Sequence, residues 1–268
     1  MKHEYSLAHL STLMLPPPQF VDVAAAAGYD YVGLRINRVT DNEPLYDLAN
    51  DADLMRETQA RLSDTGVRVL DIELARMAPE QEASIYVPLL ETAAELGAKN
   101  IIAQLPDPDY SRKVQRFADL CDLASPFGIK VNLEFPSWTE TPDLESATAV
   151  LHEVNRDNAG MLIDILHFGR SNSSLEQLAA LPRGWFNYAH ICDAEAEAPT
   201  TTEGLIHTAR AERLFPGEGG LGAAEILAQM PSDIPYALEI PRLSLLNLIG
   251  AAEYARVALL ASRGCLDS

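Results

Sequence analysis

The sequence predicts one α/β domain spanning residues 1–268, a parallel (β/α)8 barrel of the TIM type. Three observations carry this. Short apolar runs alternate with helix-patterned segments at a period of about 30 residues, the rhythm of strand–helix units in a barrel. Glycines follow several of the helical segments, where the chain must reverse. Four successive runs in the second half end on a carboxylate or an imidazole: Val131-Asn132-Leu133-Glu134, Asn158 through Asp164 to His167, Phe186-Asn187-Tyr188-Ala189-His190 and Tyr236-Ala237-Leu238-Glu239.

Tyr5 to Leu10 reads as the first strand, and Pro16-Pro17-Pro18 opens a helix that it could not continue. Phe20 to Ala27 is that helix, stopped at Gly28, and Tyr31 to Arg35 is strand two. Residues 37–50 are polar and turn-rich, a loop of the kind that carries substrate contacts. A helix over Leu54 to Thr65, stopped at Gly66, leads to strand three at Val67 to Glu73. Ala83 to Leu96 reads as a helix closed by Gly97, Asn100 to Leu105 as strand four, and Tyr110 to Ser125 as the next helix, with Gly128 before strand five. After Glu134 come Pro136-Ser137-Trp138, a helix from Asp143 to Val154, and a sixth run read as strand from Asn158 to His167. A helix over Leu175 to Leu181 precedes strand seven, which ends at His190. Asp193 to Gly220 reads as one long polar connection; a helix over Ala223 to Met230, strand eight and a closing helix over Leu245 to Ser262 complete the chain. A doubly wound open sheet shares this alternation, but no Gly-x-Gly-x-x-Gly follows the first strand.

Composition narrows the function. Apolar residues make up 47% and charged residues 22%, enough for a large core. No apolar run is long enough to span a bilayer and the first residues lack an apolar signal core, so a cytoplasmic enzyme is expected. Lys+Arg 20 against Asp+Glu 39 gives a net charge of -19, which opposes nucleic acid and anionic membrane alike. Cys121, Cys192 and Cys265 share no close spacing, against a disulfide framework or a thiolate zinc site.

In a barrel the strand C-termini converge on one face, where Glu134, Asp164, His190 and Glu239 would meet. Three carboxylates and one imidazole suit a divalent ion, Mn²⁺ first, with Mg²⁺, Co²⁺ or Zn²⁺ as alternatives. Four buried donors of this kind need a compensating charge, which one cation supplies. Glu73 ends strand three, either as a further acid/base or substrate-binding group or as a polar barrel-mouth residue without chemistry; Gln104 ends strand four as a substrate hydrogen-bonder, Trp138 is a pocket wall or an aromatic packed against its neighbours, and His9 and Arg35 are weaker candidates.

On these residues the chain resembles the xylose isomerase-like superfamily of sugar phosphate isomerases and epimerases and of family 2 abasic-site endonucleases. The signature is Glu134, Asp164 with His167, His190 and Glu239. From about Lys130 onward it is similar to the ketoinositol (inosose) isomerases, on Val154-Asn155-Arg156-Asp157-Asn158 and on Glu212-Arg213-Leu214-Phe215-Pro216-Gly217-Glu218-Gly219. The resemblance implies carbohydrate metabolism: proton transfer next to a carbonyl through an ene-diolate, on a polyhydroxylated keto-sugar or inosose, assisted by one divalent ion. By the same resemblance Glu134 and Glu239 are both ligands and acid/base groups, His167 binds or polarises a substrate oxygen, and Arg213 holds a substrate group. A homodimer is also implied.

Three other readings stand beside it. A lyase of the 3-dehydroshikimate or inosose dehydratase type would use the same centre. The endonuclease places histidines at the ends of strands three and four, where this chain has Glu73 and Gln104, and its DNA substrate is opposed by the net charge of -19. A non-catalytic sugar-binding barrel would lack a ligand, and all four are present.

Overall fold

The computed structural model describes residues 3–267. Eight parallel strands close in chain order: β1 (Tyr5–Ala8), β2 (Tyr31–Arg35), β3 (Arg68–Arg76), β4 (Asn100–Gln104), β5 (Lys130–Glu134), β6 (Ala159–Asp164), β7 (Phe186–Ile191) and β8 (Tyr236–Leu238), which pairs back with β1. The principal helices between them are α1 (Pro17–Ala27), α2 (Ala52–Thr65), α3 (Val87–Glu95), α4 (Tyr110–Ala124), α5 (Leu144–Val154), α6 (Ile165–Gly169), α7 (Leu175–Ala179), α8 (Thr202–Ala211), α9 (Ala223–Leu227), α10 (Leu243–Ile249) and α11 (Ala251–Leu266). The main apolar core includes outward strand residues such as Leu7, Val32, Val131 and Ile163 together with helix residues such as Phe20, Phe117 and Val150. A smaller cluster of Leu70, Leu74, Ile102, Leu162, Tyr188 and Ala237 is separate from it, as the alternation of strand side chains requires. No helix among the described residues is long and apolar enough to cross a membrane.

The departures from the expected elements have local causes. The sixth run leaves the sheet at Asp164, because the Asp164 carboxylate accepts the backbone N–H groups of Leu166 (2.7 Å) and His167 (3.2 Å) and starts α6 there. His167 therefore sits on a helical turn and not in a strand. The segment expected as one helix from Ala83 begins as a 3-10 turn, and α3 starts at Val87, with Pro88 in the first turn where its missing N–H costs nothing. Strand three runs on to Arg76, three residues past Glu73. The long polar connection holds a helix, α8, capped by Thr201, and the C-terminal helix is divided at Gly250. The three cysteines form no disulfide among the described residues.

Asp71 on β3 is fully buried, and neither carboxyl oxygen has a hydrogen-bond partner. Burial first, then the Glu73 carboxylate, push its pKa well above the ordinary value. A carboxyl whose folded pKa is raised contributes its full stability only below the unfolded pKa and loses it as pH rises through the folded one. Asp71→Asn is therefore expected to be more stable than the parent by roughly 1–2 kcal/mol at pH 7 and above, with the gain vanishing towards pH 4. Thermal denaturation across that range checks it; a destabilised variant at pH 8 would contradict it.

Candidate metal centre and active site

Alternation along the parallel strands puts the last inward residue of β5, β6 and β7 at the same end of the barrel, in register Asp164 against His190. Glu239 follows β8 directly, its backbone N–H bonded to the Ile191 carbonyl. One donor atom from each of Glu134, Asp164, His190 and Glu239 lies within 4.8 Å of the others, and all four residues are buried. His190 Nδ1 stands 3.7 Å from Glu134 Oε1, 3.6 Å from Asp164 Oδ2 and 3.4 Å from Glu239 Oε2. These are too long for hydrogen bonds, and the nitrogen has no partner. Donors held about 2.0–2.2 Å from one tetrahedral centre stand about 3.4 Å apart, so the spacing, the unpartnered nitrogen and the hard donor set all fit a divalent ion.

The electrostatics agree. Burial pushes Glu134 up, the neighbouring Glu239 and Asp164 carboxylates push it further, and its pKa reaches about 7. Burial acts downward on His190, but Glu239 and Asp164 outweigh it and hold the imidazole well above its ordinary range. Burial would also raise Asp164 and Glu239; Arg213 foremost, aided by the neighbouring histidines, keeps both below the usual carboxylate range.

Arg213, expected to hold a substrate group, lines the pocket and also clamps the cluster from behind. It is almost fully buried and bridges two of the four donors, Nη1 to Asp164 Oδ2 at 2.7 Å and Nη2 to Glu239 Oε2 at 2.6 Å. Its Nε donates to the Ala209 carbonyl at 2.9 Å, which fixes the fork. The following Pro216-Gly217-Glu218-Gly219 turn folds around Asp193, whose carboxylate accepts the N–H groups of Gly217, Gly219 and Leu221, each at 3.0 Å. Gly217 adopts φ +86, and a Cβ on Gly219 would lie 2.1 Å from the Ala194 carbonyl oxygen. Those glycines serve the turn that returns Arg213 to the centre.

The other candidates divide. Gln104 Nε2 donates to Glu134 Oε2 at 2.5 Å and lines the pocket above the cluster, as do Trp138 and His167. Trp138 meets the His167 ring edge-on at 5.0 Å between centroids, and His167 Nδ1 is buried without a partner. Glu73 does not line the pocket. Its carboxylate takes Arg35 Nε and Nη2 at 2.9 Å and the His9 backbone N–H at 3.1 Å. His9 is a brace: its ring accepts from the Arg35 N–H, pairs with the Leu15 carbonyl and stacks between Phe20 and Tyr46. Two charged pocket residues are not apparent from the sequence, Arg76 and Arg210. Arg76 lay beyond the expected end of strand three. Arg210 lies in the last turn of α8, a helix inside the segment expected as one polar connection.

The family model of the xylose isomerase-like TIM barrel matches residues 21–256. This chain belongs to that family. Within it, an inosose isomerase of Bacillus subtilis (strain 168) is 29% identical over 144 residues, 50% of this chain and 49% of the relative. Another, of Bacillus velezensis, is 24% identical over 215 residues, 76% of this chain and 74% of the relative. The chain thus matches only about half the length of the first of these. A crystal structure of the IolI protein with a bound zinc atom shares the fold at a TM-score of 0.79 and 20% identity, over 99% of this chain and 100% of that one.

Proposed function

We propose that this family member is a divalent-metal-dependent isomerase or epimerase acting on a keto-sugar or inosose by proton transfer next to a carbonyl. The observation that carries the reading is the set of four buried donors within 4.8 Å, with His190 Nδ1 unpartnered among three carboxylates. The inosose isomerase relatives and the zinc-bound structural neighbour support it.

Glu134, Asp164, His190 and Glu239 would hold the ion. When bound there, a divalent cation lowers the energy of negative charge developing on a substrate carbonyl oxygen. The chain's own groups do the rest. Glu134 and Glu239 both line the pocket, from β5 and from the end of β8, and are placed to remove a carbon-bound proton and to return one. Gln104 fixes Glu134 through Oε2, which leaves Oε1 on the side of the cluster. His167 presents a neutral imidazole, and Trp138 closes the wall beside it. Arg213 orients the two carboxylates and keeps a single Nη2 N–H for a substrate oxygen.

The purified protein is expected to hold about one divalent ion per chain, and the Glu134→Gln/Asp164→Asn variant about none. Full loading of that variant, read by elemental analysis, would falsify the site. Ketoses, inososes and 3-dehydroshikimate incubated in D₂O with Mn²⁺ test the reaction. Deuterium on the carbon beside the carbonyl of a true substrate is expected. Product that has lost water would move the assignment to a dehydratase, and turnover without label would exclude proton exchange with solvent.

A further inference from the structure

Four arginines line the pocket: Arg35, Arg76, Arg210 and Arg213. Two of them are spoken for, Arg35 by Glu73 and Glu43 and Arg213 by Asp164 and Glu239. The other two are not. Among the described residues neither the Arg76 nor the Arg210 side chain forms an ion pair or a hydrogen bond, and Arg76 Nε is buried with no partner. Both residues are half-buried. In a chain with 39 acidic and 20 basic residues, partnerless arginines facing a reaction pocket call for an explanation.

Secondary structure anchors the backbone of both. The Tyr86 hydroxyl accepts the Arg76 N–H at 2.9 Å and donates to the Arg76 carbonyl at 2.8 Å, so the backbone beneath that guanidinium is braced in both directions. Arg76 pairs in register with Gln104, the residue that fixes Glu134. Arg210 projects from the last turn of α8, next to Ala209, whose carbonyl fixes Arg213. Burial pushes Arg210 below the ordinary arginine range, and Arg35 and Arg76 oppose its charge further, against the pull of Glu43. Like charges held close together, with no carboxylate in ion-pair contact among the described residues, favour an oxyanion, which a guanidinium recognises by paired N–H bonds.

We propose that Arg76 and Arg210 form a subsite for an anionic group, a carboxylate or a phosphate, on the substrate, so that the pocket selects a charged polyhydroxy carbonyl compound over a neutral one. This deepens the isomerase reading and rests on it for the identity of the pocket.

Calorimetry of the zinc-loaded protein separates the two claims, with D-tagatose and 2-keto-myo-inositol as neutral probes and D-tagatose 6-phosphate and 3-dehydroshikimate as charged ones. At least one charged probe is expected to bind about 10-fold or more tightly than either neutral probe, and which one does so distinguishes phosphate from carboxylate. Arg76→Gln and Arg210→Gln should each weaken that probe about 10- to 100-fold, leave the neutral probes within about twofold, and retain the ion; Arg210→Lys should recover part of the loss. Neutral probes that bind as well as charged ones, or charged-probe affinity unmoved in both Gln variants, would overturn the subsite. Deuterium exchange into 2-keto-myo-inositol at full rate alongside that result would leave the isomerase reading standing. Failure of the protein to retain zinc would instead count against the isomerase reading, and the same four probes titrated into the metal-free protein then read the charge preference.

Discussion

Asp164→Ala is expected to lower folding stability by about 3–5 kcal/mol, the magnitude of removing one partner from a buried ion pair, and to abolish retention of a divalent ion. One carboxylate has three tasks. Its Oδ1 caps α6 through the Leu166 and His167 N–H groups, worth about 1 kcal/mol. Its Oδ2 neutralises Arg213 at 2.7 Å, a guanidinium with almost no access to water. The same Oδ2 belongs to the four-donor cluster. Removing the side chain leaves Arg213 with Glu239 alone and two backbone donors unsatisfied. Asp164→Asn separates these contributions, since its amide oxygen preserves the cap while the charge is gone; it should regain about 1 kcal/mol and still fail to hold the ion. The pH dependence follows from the sign of the shift. Burial acts to raise the Asp164 pKa, but Arg213 and His167 outweigh it and hold the carboxyl well below its ordinary value. Its contribution is therefore complete above the unfolded carboxyl range near pH 4 and is lost as pH falls through the folded value. Urea denaturation at pH 7 and pH 3 measures both effects, and an Ala variant within 1 kcal/mol of the parent at pH 7 would show that Arg213 needs no partner.

The four clustered donors were legible in the sequence and the arginine that clamps them was not, and the difference is physical. Glu134 and His190 each close an apolar run that alternates with period two, so their position at a strand tip is local information, and the barrel brings the tips together. Asp164 was placed correctly, but its capping bonds compete with strand geometry and turn His167 onto α6 one step after the sheet ends. Arg213 depends on tertiary structure: residues 193–220 fold back around the buried Asp193, and only then does the guanidinium reach β6 and the end of β8. Arg76 was hidden by a strand that continues past its expected end, and Arg210 by a helix in a segment whose Glu, Thr and Gly content reads as loop. Glu73 shows the reverse: a strand-tip acid is equally compatible with chemistry or with a structural role until the fold is known, and here its oxygens are taken by Arg35 and the His9 backbone.

His167→Ala should fail in a different way from Asp164→Ala: the ion stays and turnover falls by about 10²–10⁴-fold, the range for loss of a positioned acid–base or hydrogen-bonding group. His167 is not among the four clustered donors, and it lines the pocket with a buried Nδ1 that no protein group satisfies. Burial lowers its pKa to about 4, against the pull of Asp164, so at neutral pH the ring is uncharged with one N–H donor and one acceptor. A neutral imidazole is suited to donating to a substrate oxygen without bringing a second cation beside Arg213. Its titration lies below the working range, so the slope of rate against pH between 6 and 8 should be the same in His167→Ala as in the parent, shifted down as a whole. His167→Asn, which keeps a donor near the ring position, should recover part of the loss if hydrogen bonding is the role. The Trp138 edge contact sets the control, because Trp138→Phe keeps an aromatic wall against the ring and should cost far less than loss of the imidazole. Elemental analysis and steady-state rates on the same preparations decide it: full ion content with full activity in His167→Ala would make the residue a packing element of α6, and loss of the ion would make it a ligand.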